Sequence, residues 1–177
     1  NLAANGDGKP FRNTYFKFAN DIELPQDWEP LGSLKEGAAL PARGVNINAF
    51  SGIIDGDGHK IIIPKGGLPL IGYARDAVVK NLNIYGEEIN GYGLLNNYVV
   101  DYGDNGDYNV GDVPETIRIE NCRLLKDSST LKSGFIGGYA SGKNYVYIID
   151  CTIEEGVTIG YTGAESGIGS FGGEFNG

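Results

Sequence analysis

The chain has 177 residues, with 23 Asp and Glu against 14 Lys and Arg, giving a formal net charge of −9. That acid surplus argues against a partner held through a phosphate backbone, which needs clustered Lys and Arg. With His59 the single histidine, a Ser-His-Asp triad or a His-rich metal site has almost no raw material. Glycine fills 29 positions in a composition that is 41% hydrophobic and 21% charged, which is globular, without a collagen period or an apolar run long enough to span a membrane.

The chain opens Asn1-Leu2-Ala3-Ala4 with neither an initiator nor a signal peptide, so the expectation is a processed or excised piece of a larger protein. Ile22 and Leu24 follow an Asn20-Asp21 pair. Ser33-Leu34-Lys35-Glu36 has the form of a helix capping box, although Gly37 and Pro41 limit any helix there to a turn or two. Asp55-Gly56-Asp57-Gly58 precedes Ile61 and Ile63, which match Leu82 and Ile84 at an offset of 21.

Three later segments superpose without gaps: Ala77–Ile84, Ile117–Leu124 and Val146–Ile153, at offsets of 40 and 29. Each has apolar side chains at its first, third, sixth and eighth positions and Asn or Asp at its fifth. Period-two alternation buries one face of a strand, and the change of parity at the fifth position marks a corner. Asn and Asp suit that corner because they tolerate left-handed backbone.

Between these segments lie short apolar patches bounded by glycine: 70–74, 93–95, 134–140 and 167–169. Passes of about 20 to 30 residues that lay equivalent side chains over one another predict an all-β, right-handed parallel β-helix (β-solenoid) with a short N-terminal cap. One domain covers 1–177, with the cap and first coil in 1–48 and the remaining coils in 49–177. Four inward ladders follow: Ala77/Ile117/Val146, Val79/Ile119/Ile148, Leu82/Cys122/Cys151 and Ile84/Leu124/Ile153. Each buried Val, Leu or Ile contributes roughly 1.5–3 kcal/mol.

Tyr15-Phe16-Lys17-Phe18-Ala19-Asn20-Asp21-Ile22-Glu23-Leu24, Trp28-Glu29-Pro30-Leu31-Gly32 and Ala49–Ile61, followed by the Gly-Leu/Phe-Ile-Gly elements, resemble GLUG-motif repeat proteins over most of the chain. The resemblance implies a secreted or wall-anchored bacterial surface protein of adhesin type. Such repeats also occur in the N-terminal regions of immunoglobulin A-cleaving metallopeptidases. It brings no catalytic residues with it. Segments 33–48 and 96–115 are longer than the family pattern.

Residues 81–117 contain no Lys or Arg but hold Glu87, Glu88, Asp101, Asp104, Asp107, Asp112 and Glu115. The extra length between the first two repeats must leave the coil as an acidic, Tyr-rich loop at about 96–115. Its Tyr98, Tyr102 and Tyr108 are candidate ligand contacts. Asp101, Asp104, Asp107 and Asn109 are candidate calcium ligands, being hard oxygen donors, and calcium is the one cofactor considered. The plainer reading is a solvated loop that aids solubility. Asn5-Gly6-Asp7-Gly8 and Asp55-Gly56-Asp57-Gly58 lack the bidentate Glu of an EF-hand and read as turns.

Glu120 and Asp150 lie at neighbouring corners, offset by one, a carboxylate pair of the kind sugar hydrolases use and one that acidic corners also create by chance. His59 and Trp28 read as structural, Trp28 covering an end of the stack. Cys122 and Cys151 share one ladder position. They read as two free apolar fillers, with a disulfide permitted by export. The six Thr form no ladder of the ice-binding kind.

The function expected is therefore a non-catalytic extracellular bacterial surface module for adhesion, display or spacing. Its partner would be a host or cell-surface protein or glycan, with no nucleic acid and no membrane span, and the chain would be a monomeric fragment. The alternative is a polysaccharide-binding or polysaccharide-active β-helix using the 96–115 loop.

Overall fold

The computed structural model describes residues 11–34, 47–98, 116–132, 135 and 145–160. These residues form an all-β structure with no helix among them. Five strands make a first sheet, parallel throughout, in the order β1 (Tyr15–Lys17), β5 (Ile53–Asp55), β8 (Val78–Lys80), β11 (Thr116–Glu120) and β14 (Tyr145–Ile149). Five more make a second parallel sheet in the same sense: β2 (Ile22–Glu23), β6 (Lys60–Ile63), β9 (Asn83–Gly86), β12 (Arg123–Leu124) and β15 (Thr152–Ile153). The chain thus enters the first sheet, turns a corner into the second, and returns to the first one strand further along.

The return paths are stacked as well. β7 (Ile71–Ala74) pairs in parallel with β10 (Leu95–Tyr98), and Phe135 accepts the backbone N–H groups of Leu94 and Leu95 at 2.8 and 3.2 Å. β13 (Ser129–Thr130) pairs with β16 (Thr158–Ile159), with Ile89 bridged beside Thr130. The glycine-bounded patches at 70–74 and 93–95 are therefore strand positions of one line. The patch at 167–169 lies outside the described residues.

Register follows the ladders read from the sequence. Ile119 stands between Val79 and Ile148, Ile117 opposite Val146, and Leu124 between Ile84 and Ile153. Alternation places Ile54, Val79, Ile119, Ile61, Ile84 and Leu124 in one continuous core, with Leu82 and Cys122 wholly buried at the corner. In the last described pass Val146, Ile148, Cys151 and Ile153 are only half-buried. At the other side Phe11, Phe16 and Phe50 cluster with ring centroids 5.4 to 6.2 Å apart and pack on the same core. Trp28 packs against it too, half-buried.

Two expectations need correction. Ser33 and Leu34 begin no helical turn: they form β3 (Ser33–Leu34), paired antiparallel with β4 (Ile47–Asn48). Extended pairing satisfies their backbone where a one-turn helix would leave most of its groups open. Ile61 and Ile63 do not pair with Leu82 and Ile84 either: Ile61 pairs with Ile84 and Ile63 with Gly86, an offset of 23. The cause is the corner. Four residues separate Asp55 from Lys60, whereas two separate their partners Lys80 and Asn83. A shift of two keeps the same face inward, so the alternation alone carries no trace of it.

That longer corner is a tight turn, with Asp57 at φ 50° and Gly58 at φ 82°. Gly56 within it lies flat on the next pass, where an added Cβ would stand 2.5 Å from the Asn81 carbonyl oxygen and 2.7 Å from the Leu82 Cα. Both are backbone atoms, so Gly56→Ala must push two passes apart. The expected cost is about 1–3 kcal/mol in a denaturation titration.

Candidate functional site

The corner between the two sheets gathers the polar side chains. In the later passes it is a two-residue bend whose first residue is Asn81, Asn121 or Asp150, at φ 52°, 49° and 51°. This left-handed backbone is what the recurring Asn or Asp in the sequence implied. With the corners stacked, the side chains bond along the stack. Asn121 Nδ2 donates to Asn81 Oδ1 at 2.9 Å, and Asn81 Nδ2 donates to Asp55 Oδ1 at 3.0 Å. The amide ladder thus ends on a carboxylate.

Asp55 is 6% exposed and fully engaged. Besides Asn81 it accepts the Tyr15 hydroxyl and the backbone N–H of Asp57 at 3.0 Å, and Lys80 Nζ lies 3.4 Å away. The Tyr15 hydrogen bond, with those from Asn81, Asp57 and Lys80, outweighs burial and holds its carboxyl far below the usual carboxylate range. The same bond raises Tyr15. Lys17 Nζ sits 2.9 Å from Asp57 Oδ2 and is raised by that contact.

A carboxyl with a depressed folded value contributes stability in full above its unfolded value near 3.9, and that contribution drains away as the pH falls below it. Acid titration of unfolding should therefore show stability falling below about pH 4, with the slope reduced in Asp55→Asn. An unchanged slope would show that Asp55 is not the group responsible.

Against this ladder lies an open depression of about 320 Å³, lined by Asp57, Gly58, Asn81, Asn83, Asn121 and Arg123. Asn83 Nδ2 donates to the Gly58 carbonyl at 2.7 Å, bracing one wall. Arg123 is exposed, in register with Asn83 on one side and Thr152 on the other. Amide edges beside a guanidinium are groups that hydrogen-bond hydroxyls and carboxylates. Nothing here resembles a nucleophile with its base.

The sequence candidates fall out as follows. Tyr98 closes β10, whereas Tyr102, Tyr108, Asp101, Asp104, Asp107 and Asn109 lie outside the described residues, as does Asn5-Gly6-Asp7-Gly8. No group of three or more His, Cys, Asp or Glu could hold a metal ion among the described residues. If the acidic loop holds calcium, chelation should lower the melting temperature; an unchanged melting curve removes that assignment. Glu120 and Asp150 are offset by one, as Glu120 pairs in register with Ile149. Glu120 is bound by Arg118, through Nε at 2.6 Å and Nη2 at 2.5 Å, and Arg118 lies 5.1 Å from the Tyr147 ring centroid. His59 Nδ1 stands 3.4 Å from Asp21 at the surface.

Both cysteines are free, Cys122 buried and Cys151 half-buried. No helix among the described residues is long and apolar enough to cross a membrane. No protein-family model, no curated protein and no solved structure matches the chain.

Proposed function

We propose that the chain is a right-handed parallel β-helix of degenerate GLUG-type repeats with a short N-terminal cap, acting as a non-catalytic extracellular bacterial surface module for adhesion, display or spacing. The observation that carries this reading is the in-register stacking of both sheets, pass upon pass, with the corner residues bonded along the stack. Each pass advances the stack by about 4.8 Å, so the architecture gains length by repetition and suits holding a loop or a neighbouring domain away from a surface. Between β10 and β11 the sequence concentrates Tyr and acid, a composition that suits a displayed loop. The carboxylates at the corner support a structural role, since Asp55 is consumed by the ladder and Glu120 by Arg118.

A second reading, a polysaccharide-binding module, is favoured by the depression beside Arg123. Cell-adhesion assays and glycan arrays on the chain and on a deletion of residues 101–112 separate the two. Adhesion to a protein or cell surface without glycan hits supports the display module. Glycan binding transfers the function to the second reading, through the loop where the deletion abolishes it and through the depression beside Arg123 where it survives. Glycan turnover overturns the non-catalytic proposal.

A further inference from the structure

Cys122 and Cys151 occupy the same corner position in consecutive passes. Register fixes this: Glu120 pairs with Ile149 and Arg123 with Thr152, and the Thr152 N–H donates to the Cys122 carbonyl at 2.9 Å. Parallel strands stand about 4.8 Å apart, inside the Cα range that a disulfide spans. The two thiols are therefore neighbours along the stack. Cys122 Sγ also lies 3.4 Å from the Glu120 carbonyl oxygen, and Cys151 Sγ lies 3.4 Å from that of Ile149 and 3.5 Å from that of Ile119. Cys122 Sγ also stands 3.7 Å from the Val79 carbonyl oxygen, so each side chain leans toward the pass before its own, and closure turns Cys122 toward Cys151.

Their surroundings differ. Cys122 has no exposed surface, whereas Cys151, in the half-buried last pass, is reachable. We propose that the pair is a reactive dithiol that closes to an inter-pass cross-link by exchange with a small disulfide, Cys151 being the thiol that meets the external reagent. The neighbouring Cys122 lowers the Cys151 thiol, while Cys151 together with burial raises Cys122. Both effects assign the roles in the same sense as exposure does.

The chemistry balances with a disulfide of the glutathione class as oxidant. Cys151 gives its proton to water, its thiolate attacks one sulfur of the external disulfide, and one external thiol departs. The mixed disulfide on Cys151 is then attacked by Cys122, whose proton passes to the second departing thiolate. Two protein thiols and one external disulfide become one protein disulfide and two external thiols. The cross-link closes a loop of 29 residues and ties the last pass to the one before it.

The test uses the reduced chain and oxidised glutathione, followed by acid quench, thiol counting and mass spectrometry. The native chain is expected to lose both free thiols and two hydrogens with no retained adduct. Its thermal midpoint should rise by roughly 5–10 °C and return on reduction. Cys122→Ser, or Cys122→Ala where the buried hydroxyl is not tolerated, should accumulate one glutathione on Cys151, while Cys151→Ser stays unmodified over the same period. Two thiols remaining in the native chain, a stable adduct without closure, or equal modification of the two variants would each overturn the proposal.

Discussion

Ile119→Ala is expected to destabilise the protein by about 3–4 kcal/mol, measured by urea denaturation. Ile148→Ala, the same deletion one pass along, should cost about 1–2 kcal/mol. Ile119 is 1% exposed and stands in the middle of its ladder, with Val79 on one side and Ile148 on the other. Each neighbour is fixed by its own ladder of backbone bonds, so neither can move far into the space left by the deleted atoms. The cavity therefore persists and adds to the lost transfer energy. Ile148 is half-buried in the outermost described pass, and its truncation removes less contact. Arg118→Ala, next to Ile119 on the opposite face of the same strand, should cost less than either ladder position. Equal costs at 119 and 148 would falsify the stacked arrangement as the source of stability, because that arrangement is what makes the middle pass different from the last.

The three segments that carry these ladders were legible because each pass repeats one short pattern with the same corner length. Residues 77–84, 117–124 and 146–153 align without gaps, so a period-two pattern with an Asn or Asp at the fifth position gave strand, corner, strand and the partners of each residue. In the first full pass the pattern aligns the second half two residues off, since its corner is longer and a shift of two leaves hydrophobic residues facing inward. That misalignment also concealed the polar site. Asp55 looked like part of an Asp-Gly turn, and its place at the end of the Asn81 and Asn121 ladder emerges only when Asp55 is set against Lys80. Arg123, between Cys122 and Leu124, carries no local signal of a site. Its place beside Asn83 follows from the offset of 40, but the depression they share with Asp57 and Gly58 also needs the longer first corner set in register. Ser33 and Leu34 misled for a related reason: capping residues are a local signal, and the pairing with Ile47 and Asn48 that overrides it is not local.

Asn81→Ala should cost about 3 kcal/mol, nearly as much as truncating the middle of the core, although Asn81 faces an open depression. Three losses coincide at this residue. Its backbone is at φ 52°, where alanine is strained by about 1 kcal/mol or more. Its amide donates to the Asp55 carboxylate, a charge-assisted bond worth about 1.5–3 kcal/mol. It also accepts from Asn121, whose amide then loses its partner in the ladder. Asn81→Gly separates these contributions, because glycine adopts the same φ without strain and supplies no amide; it should recover about 1 kcal/mol of the loss. Asn81→Asp keeps the tolerance for φ but sets a second carboxylate against Asp55. At neutral pH this variant should be less stable than Asn81→Gly, and it should regain ground as the pH falls through about 4, where the new carboxyl takes up a proton and donates it to Asp55. The native chain moves the other way over the same interval, since acid removes the stabilisation that ionised Asp55 provides. Stability curves of opposite slope below pH 5 for the two proteins would tie the corner ladder to the fold through charge. Parallel curves would reduce Asn81 to a residue chosen for its backbone alone.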